Sequence, residues 1–124
     1  MKTLPVILTL MTSMACLSQT VYAQKDLPVD DASTAAFIGL CKNPNDEQGR
    51  SFCFGFGEGV YQAYLVNRSP NAKPTICFTN KSETRNEILQ KFLAWNAVNP
   101  QFSQERAAKT LMRFFTKNYS CNQN

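Results

Sequence analysis

The sequence predicts an all-α domain of four helices stapled by two disulfides. Three observations carry that prediction. Apolar residues recur at spacings of three and four rather than in alternation, which is the helical period. Four cysteines, Cys41, Cys53, Cys77 and Cys121, remain once an N-terminal leader is set aside, and an even number in a small exported chain implies two disulfides. The remaining stretch, residues 24–124, is long enough for one core and too short for a second independent one.

Residues 1–23 have the make-up of a secretory signal peptide: Lys2 as the basic start, an apolar stretch over 4–14, and a small-residue exit at Val21-Tyr22-Ala23. A membrane-spanning helix needs about 20 unbroken apolar residues, whereas Thr9, Thr12 and Ser13 interrupt this stretch. The expected product is therefore an exported chain, 24–124, with no membrane span. Cys16 offers a second exit, a lipidation site at Ala15-Cys16, but Ser13 stands where such sites carry leucine.

The segment 25–31 is polar, contains Pro28, and reads as a surface leader. Asp31 or Ser33 then caps a first helix in which Ala36, Phe37, Leu40 and Cys41 share a face, up to a polar break at 42–45. Asp46 and Glu47 favour a second helix start, and Phe52, Phe56, Val60 and Ala63 continue to about Val66 at helical spacing. With Phe54, Tyr61, Tyr64 and Leu65 broadening its apolar surface, this helix is expected to be the central and most buried element. The stretch 67–81 holds Pro70 and Pro74 and is an irregular crossing pinned by Cys77. Ser82 is the expected cap of a third helix with Ile88, Leu89, Phe92, Trp95 and Val98 on its apolar side, ending at Asn99-Pro100. Ser103 is the expected cap of a fourth, carrying Ala107, Ala108, Leu111, Phe114 and Phe115 up to Tyr119.

An up-down order of these helices places Cys41 near Cys53 and Cys77 near Cys121. Sequence alone permits three connectivities, so this pairing is an expectation, and a bridge from Cys41 to Cys121 would break the layout.

Composition removes several classes of chemistry. The chain has no histidine, so the usual serine or cysteine triads lack their base. No two mature cysteines stand two to four residues apart, so zinc-type spacing is absent too, and neither a metal nor another cofactor is expected. Without Lys2 the chain carries 12 basic and 9 acidic residues, a net charge of +3 spread along the sequence rather than gathered in the stripe that nucleic acid requires. The carboxylate pairs Asp30-Asp31 and Asp46-Glu47 read as solvated or helix-starting acids, and Glu58, among Phe56, Tyr61 and glycines, reads as an exposed or interface residue. These features describe a protein that is not an enzyme.

Gly55-Phe56-Gly57-Glu58-Gly59 lacks the preceding strand and the lysine of a phosphate loop. Glycines inside a helix cost about 1 kcal/mol each relative to alanine. Gly55 and Gly59 share a face with Phe56 beside them, so the expected compensation is the close approach of a neighbouring helix, in the same chain or in a dimer.

The pattern Phe37-Ile38-Gly39-Leu40-Cys41, then Cys53-x-Gly55-Phe56-x-x-Gly59, Ile76-Cys77 and Tyr119-x-Cys121 resembles the Tai and Rap immunity family of type VI secretion systems. It departs from that pattern at Phe56, where tyrosine is usual, at Phe78-Thr79, where an aliphatic residue and proline are usual, and at Ser120, where proline is usual. The resemblance implies a periplasmic inhibitor of a secreted peptidoglycan-amidase effector, often a homodimer, acting through a loop placed in the enzyme's cleft. Binding residues concentrate on loops held by a rigid scaffold. The crossing 67–81, with Asn67, Arg68, Asn71, Lys73 and Lys81, and the turn 42–46 are therefore the candidate inhibitory elements. The alternative reading is a general periplasmic stress or chaperone-like helical protein, although without histidine it lacks the side chain that titrates nearest neutrality.

Overall fold

The computed structural model describes residues 31–79 and 82–121. Leader, lipidation and surface-segment expectations for 1–30 lie outside the described residues. Among the described residues four α-helices form, α1 (Thr34–Cys41), α2 (Glu47–Asn67), α3 (Arg85–Ala97) and α4 (Ala107–Asn118), with a 3-10 turn at Pro100–Phe102. All four pack on one aromatic core, and both disulfides join the expected partners, Cys41 with Cys53 and Cys77 with Cys121.

Local chemistry fixes three of the helix starts. Ser33 Oγ accepts from the Ala36 amide at 3.1 Å, and Asp46 Oδ1 accepts from the Gly49 amide at 2.9 Å. Each answers one of the amides a helix start leaves unpaired. The third helix begins two residues later than Ser82 predicts. Thr84 caps it in a reciprocal box, its hydroxyl accepting from the Glu87 amide at 3.2 Å while Glu87 Oε2 accepts from the Thr84 amide at 2.6 Å. Ser82 has no acidic residue three positions on, so it cannot close that box.

Helix α4 departs most from expectation. Ser103 does not cap it; the chain makes the 3-10 turn first and α4 opens at Ala107 with no side-chain cap. Its starting amide is answered from the far end of the sequence, where Ala32 O accepts from the Ala107 amide at 2.8 Å. In return, Thr34 and Ala35 donate their amides to the carbonyls of Glu105 and Ser103 at 2.8 and 2.9 Å. The two helix starts thus satisfy each other across an antiparallel bridge between Ser33 and Arg106. Beneath it the Thr34 and Thr110 hydroxyls, both fully buried, lie 2.7 Å apart.

Burial corrects the ranking of the helices. Only Gly49 and Cys53 of α2 are buried, whereas α4 buries Ala107, Thr110, Leu111, Phe114 and Phe115. A 21-residue helix outruns a small core, so half of its apolar stripe, including Phe52 and Ala63, meets solvent. Val98, expected on the apolar side of α3, stands 77% exposed just past the end of that helix. The core is aromatic instead. Phe92 meets Phe114 edge-on at 5.3 Å, Phe37 at 5.9 Å, and Trp95 at 6.4 Å. Outside it, Arg113 covers the Phe102 ring at 5.0 Å and forks onto Glu105 with two 3.0 Å bonds, holding the 3-10 turn against α4.

Candidate functional site

Helix α2 separates the two candidate turns. Residues 42–46 precede its first turn and the crossing follows its last, about 30 Å away at 1.5 Å per residue. A small contact patch therefore uses one turn or the other. The 42–46 turn is closed on itself: Asn43 accepts from the Asn45 and Asp46 amides, and Arg50 donates to Pro44 O at 3.2 Å.

The crossing is long and irregular, yet three anchors fix it. Tyr64 of α2 presents its hydroxyl oxygen to the amides of Thr75 and Ile76 at 2.8 and 3.3 Å. Those bonds, led by the Thr75 side chain, hold the Tyr64 phenol below its ordinary pKa. Phe78, partly buried, packs against the core, meeting Tyr61 edge-on at 4.9 Å and Tyr119 at 4.5 Å. Behind it the Cys77–Cys121 bridge is flanked by the 2.7 Å bond from the Cys77 amide to Tyr119 O. Tyr119 carries a buried hydroxyl that faces Glu83 without completing a hydrogen bond of ordinary geometry, and burial raises its pKa. Glu83 itself is nearly covered and pairs with Lys91.

Within the crossing the predicted binding residues divide by role. Arg68 Nη1 donates to Ala72 O at 3.0 Å and its Nε is buried without a partner, so this side chain shapes the loop from inside. Asn67 donates back to Ala63 O at 2.8 Å and closes the end of α2. Asn71 and Lys73 are exposed near Pro74 and are the two of the set that present polar groups outward. Lys81 lies outside the described residues. Sequence reasoning missed Tyr64 and Phe78 as the residues that hold this loop; an aromatic in an otherwise polar, proline-broken stretch was the signal for Phe78.

The glycine expectation is corrected within the chain. A Cβ built on Gly55, Gly57 or Gly59 meets nothing within 4 Å, so no helix of the described domain approaches them closely. Gly55 and Gly59 are exposed. Phe56 alone of the motif is engaged, its ring 4.9 Å from Phe37. Gly57 borders a cleft between α2 and α3 of about 210 Å³, whose walls include Phe54, Tyr61, Phe78 and Leu89 and which Glu58 and Arg85 flank.

A family model for Rap1a immunity proteins matches residues 33–121, from the cap of α1 to the last disulfide cysteine. The chain belongs to the Rap1a immunity protein family. No curated protein and no solved structure matches it. Membership implies a toxin as the binding partner, and the matched span takes in both disulfides and the whole crossing. Among the described residues of this Rap1a-family chain, no helix is long and apolar enough to cross a membrane, and no three metal-ligating side chains gather.

Proposed function

We propose that this immunity protein is exported to the periplasm and neutralises a type VI peptidoglycan-amidase toxin by binding it, with no catalysis of its own. The match to Rap1a immunity proteins over the folded domain is the observation that carries this reading. The sequence supports it from two sides: the leader 1–23 suits export, and a chain without histidine lacks the commonest general base.

The crossing 67–81 is the inhibitory element in this proposal. A loop already fixed by Tyr64, Phe78 and a disulfide loses little conformational freedom on docking, which leaves more of its contact energy as affinity. Asn71 and Lys73 at its exposed bend are the contact residues, whereas Arg68 and Asn67 act by shaping it.

The test is co-expression with any peptidoglycan-amidase toxin found encoded beside it, followed by calorimetry and amidase assays. Protection together with loss of toxin binding in Lys73→Glu supports the proposal. Absence of binding to every such toxin overturns the function, and full inhibition by an Asn71→Ala, Lys73→Glu double variant overturns the choice of loop.

A further inference from the structure

We infer that the cleft between α2 and α3 receives a tryptophan or tyrosine side chain of the toxin, presented next to an acidic residue. This rests on the proposal that the chain binds a toxin, and it adds a second contact beyond the crossing. Size decides the class of guest. An apolar void of roughly 150 Å³ takes up benzene. The cleft, at about 210 Å³, therefore matches one phenol or indole ring. Drug-sized ligands occupy sites of roughly 300 Å³ and more.

The walls favour an aromatic guest. Phe54, Tyr61, Phe78 and Phe92 line the cleft, and ring pairs offer edge-to-face contacts beyond simple burial. One wall is bare backbone: Gly57 borders the cleft, and a Cβ there would meet nothing. No contact within the chain accounts for glycine at that position, and any side chain there would project toward the space the guest needs.

The rim sets polarity and charge. Glu58 binds Gln62 through Oε1 at 2.9 Å, leaving its second oxygen to accept from an indole N–H or a phenol O–H. Arg85, the first residue of α3, closes no ion pair among the described residues. Arg50 lies alongside, its guanidinium 5.6 Å from the Phe54 ring and bonded to Asn86 at 2.9 Å. Arg85 lines the cleft and closes no ion pair among the described residues, so it complements an acidic residue beside the ring, and an aromatic anchor in a walled cleft is the usual form of an interface hot spot.

The experiment has two arms. In the first, N-acetyltryptophan, an indole with a carboxylate, is titrated into the isotopically labelled protein. The inference expects saturable shifts of the Gly57, Phe78 and Leu89 amides, lost in Gly57→Leu. Shifts absent, or unchanged in Gly57→Leu, overturn it. In the second arm, toxin affinity is measured for the wild type, Gly57→Leu and Ala94→Leu, the last on the exposed side of α3. A loss of about tenfold or more in Gly57→Leu alone, with circular dichroism unchanged, supports the anchor. If Gly57→Leu binds the toxin as the wild type does, the anchor fails while the immunity reading stands. If the wild type binds no toxin, the immunity reading fails and the anchor with it. Should Gly57→Leu fail to fold, Arg85→Glu replaces it, with a tenfold loss again expected and no loss refuting.

Discussion

Replacing Gly55 or Gly59 by alanine stabilises this fold, and the same replacement at Gly49 in the same helix destabilises it. The helix propensities of the two residues differ by about 0.8–1.0 kcal/mol in favour of alanine at interior positions. At Gly55 and Gly59 the new methyl meets nothing within 4 Å, so that gain is undiluted. Each change should raise the melting temperature by about 4–8 °C in a domain of this size. At Gly49 the methyl would fall 2.8 Å from Leu40 O and 2.9 Å from Asp46 Oδ2. One contact is the backbone of α1 and the other is the carboxylate that caps α2, so neither yields without loss. Overpacking costs about 1–3 kcal/mol and a lost cap about 1 kcal/mol, which exceeds the propensity gain. Calorimetric melting of the three single variants, each at low and high protein concentration, reads the signs directly. A fall in melting temperature for Gly55→Ala or Gly59→Ala in dilute solution would refute the open-face geometry. A fall confined to concentrated solution would place the glycine stripe between two copies of the chain.

Four further outcomes follow from the same geometry. The chain-entropy estimate gives about 3 kcal/mol for the 12-residue separation of Cys41–Cys53 and about 4 kcal/mol for the 44-residue separation of Cys77–Cys121, so urea unfolding of the paired serine variants should rank them in that order. Limited reduction followed by thiol labelling should open Cys77–Cys121 first, because both of its cysteines are partly exposed while Cys41 and Cys53 are buried; labelling of Cys41 first contradicts this. Tyr64→Phe removes the acceptor of the Thr75 amide and of the part-buried Ile76 amide and should cost about 1 kcal/mol, with faster amide exchange confined to the crossing; uniform exchange changes would count against the latch. Glu87 and Glu105 both titrate below the usual carboxylate range, the first through the Thr84 amide and the second through Arg113. A carboxylate with a depressed native pKa contributes stability above its unfolded value, near 4.5, and loses it as pH falls through the native one. Stability should therefore decline below about pH 4.5, and Glu87→Gln should flatten part of that decline in pH-dependent urea melts.

Most of the architecture was legible because it rests on near-neighbour chemistry. Helical spacing located four helices, Ser33 was readable beside Asp31 as a candidate cap and Asp46 as a helix-starting acid, and an up-down order sufficed to pair the cysteines. The start of α3 was legible as well, in Thr84-x-x-Glu87, a stronger signal than Ser82 alone. The candidate loop was legible only as a proline-broken stretch, since nothing local says which of its residues face inward.

What the sequence determined by itself was the inventory: helix-forming stretches, an even set of cysteines, no histidine, and a family pattern spread over the cysteines and glycines. Tertiary structure decided everything that depends on residues far apart in the chain. The cap of α4 is the carbonyl of Ala32, more than seventy residues upstream, so no local pattern could have announced it. The exposure of α2 was decided likewise, because a periodic stripe says which side can be buried while the size of the core says how much of it is. Helix α3 and the crossing fold back beside Gly57 to leave a ring-sized cleft, a void that exists only between elements and has no sequence of its own.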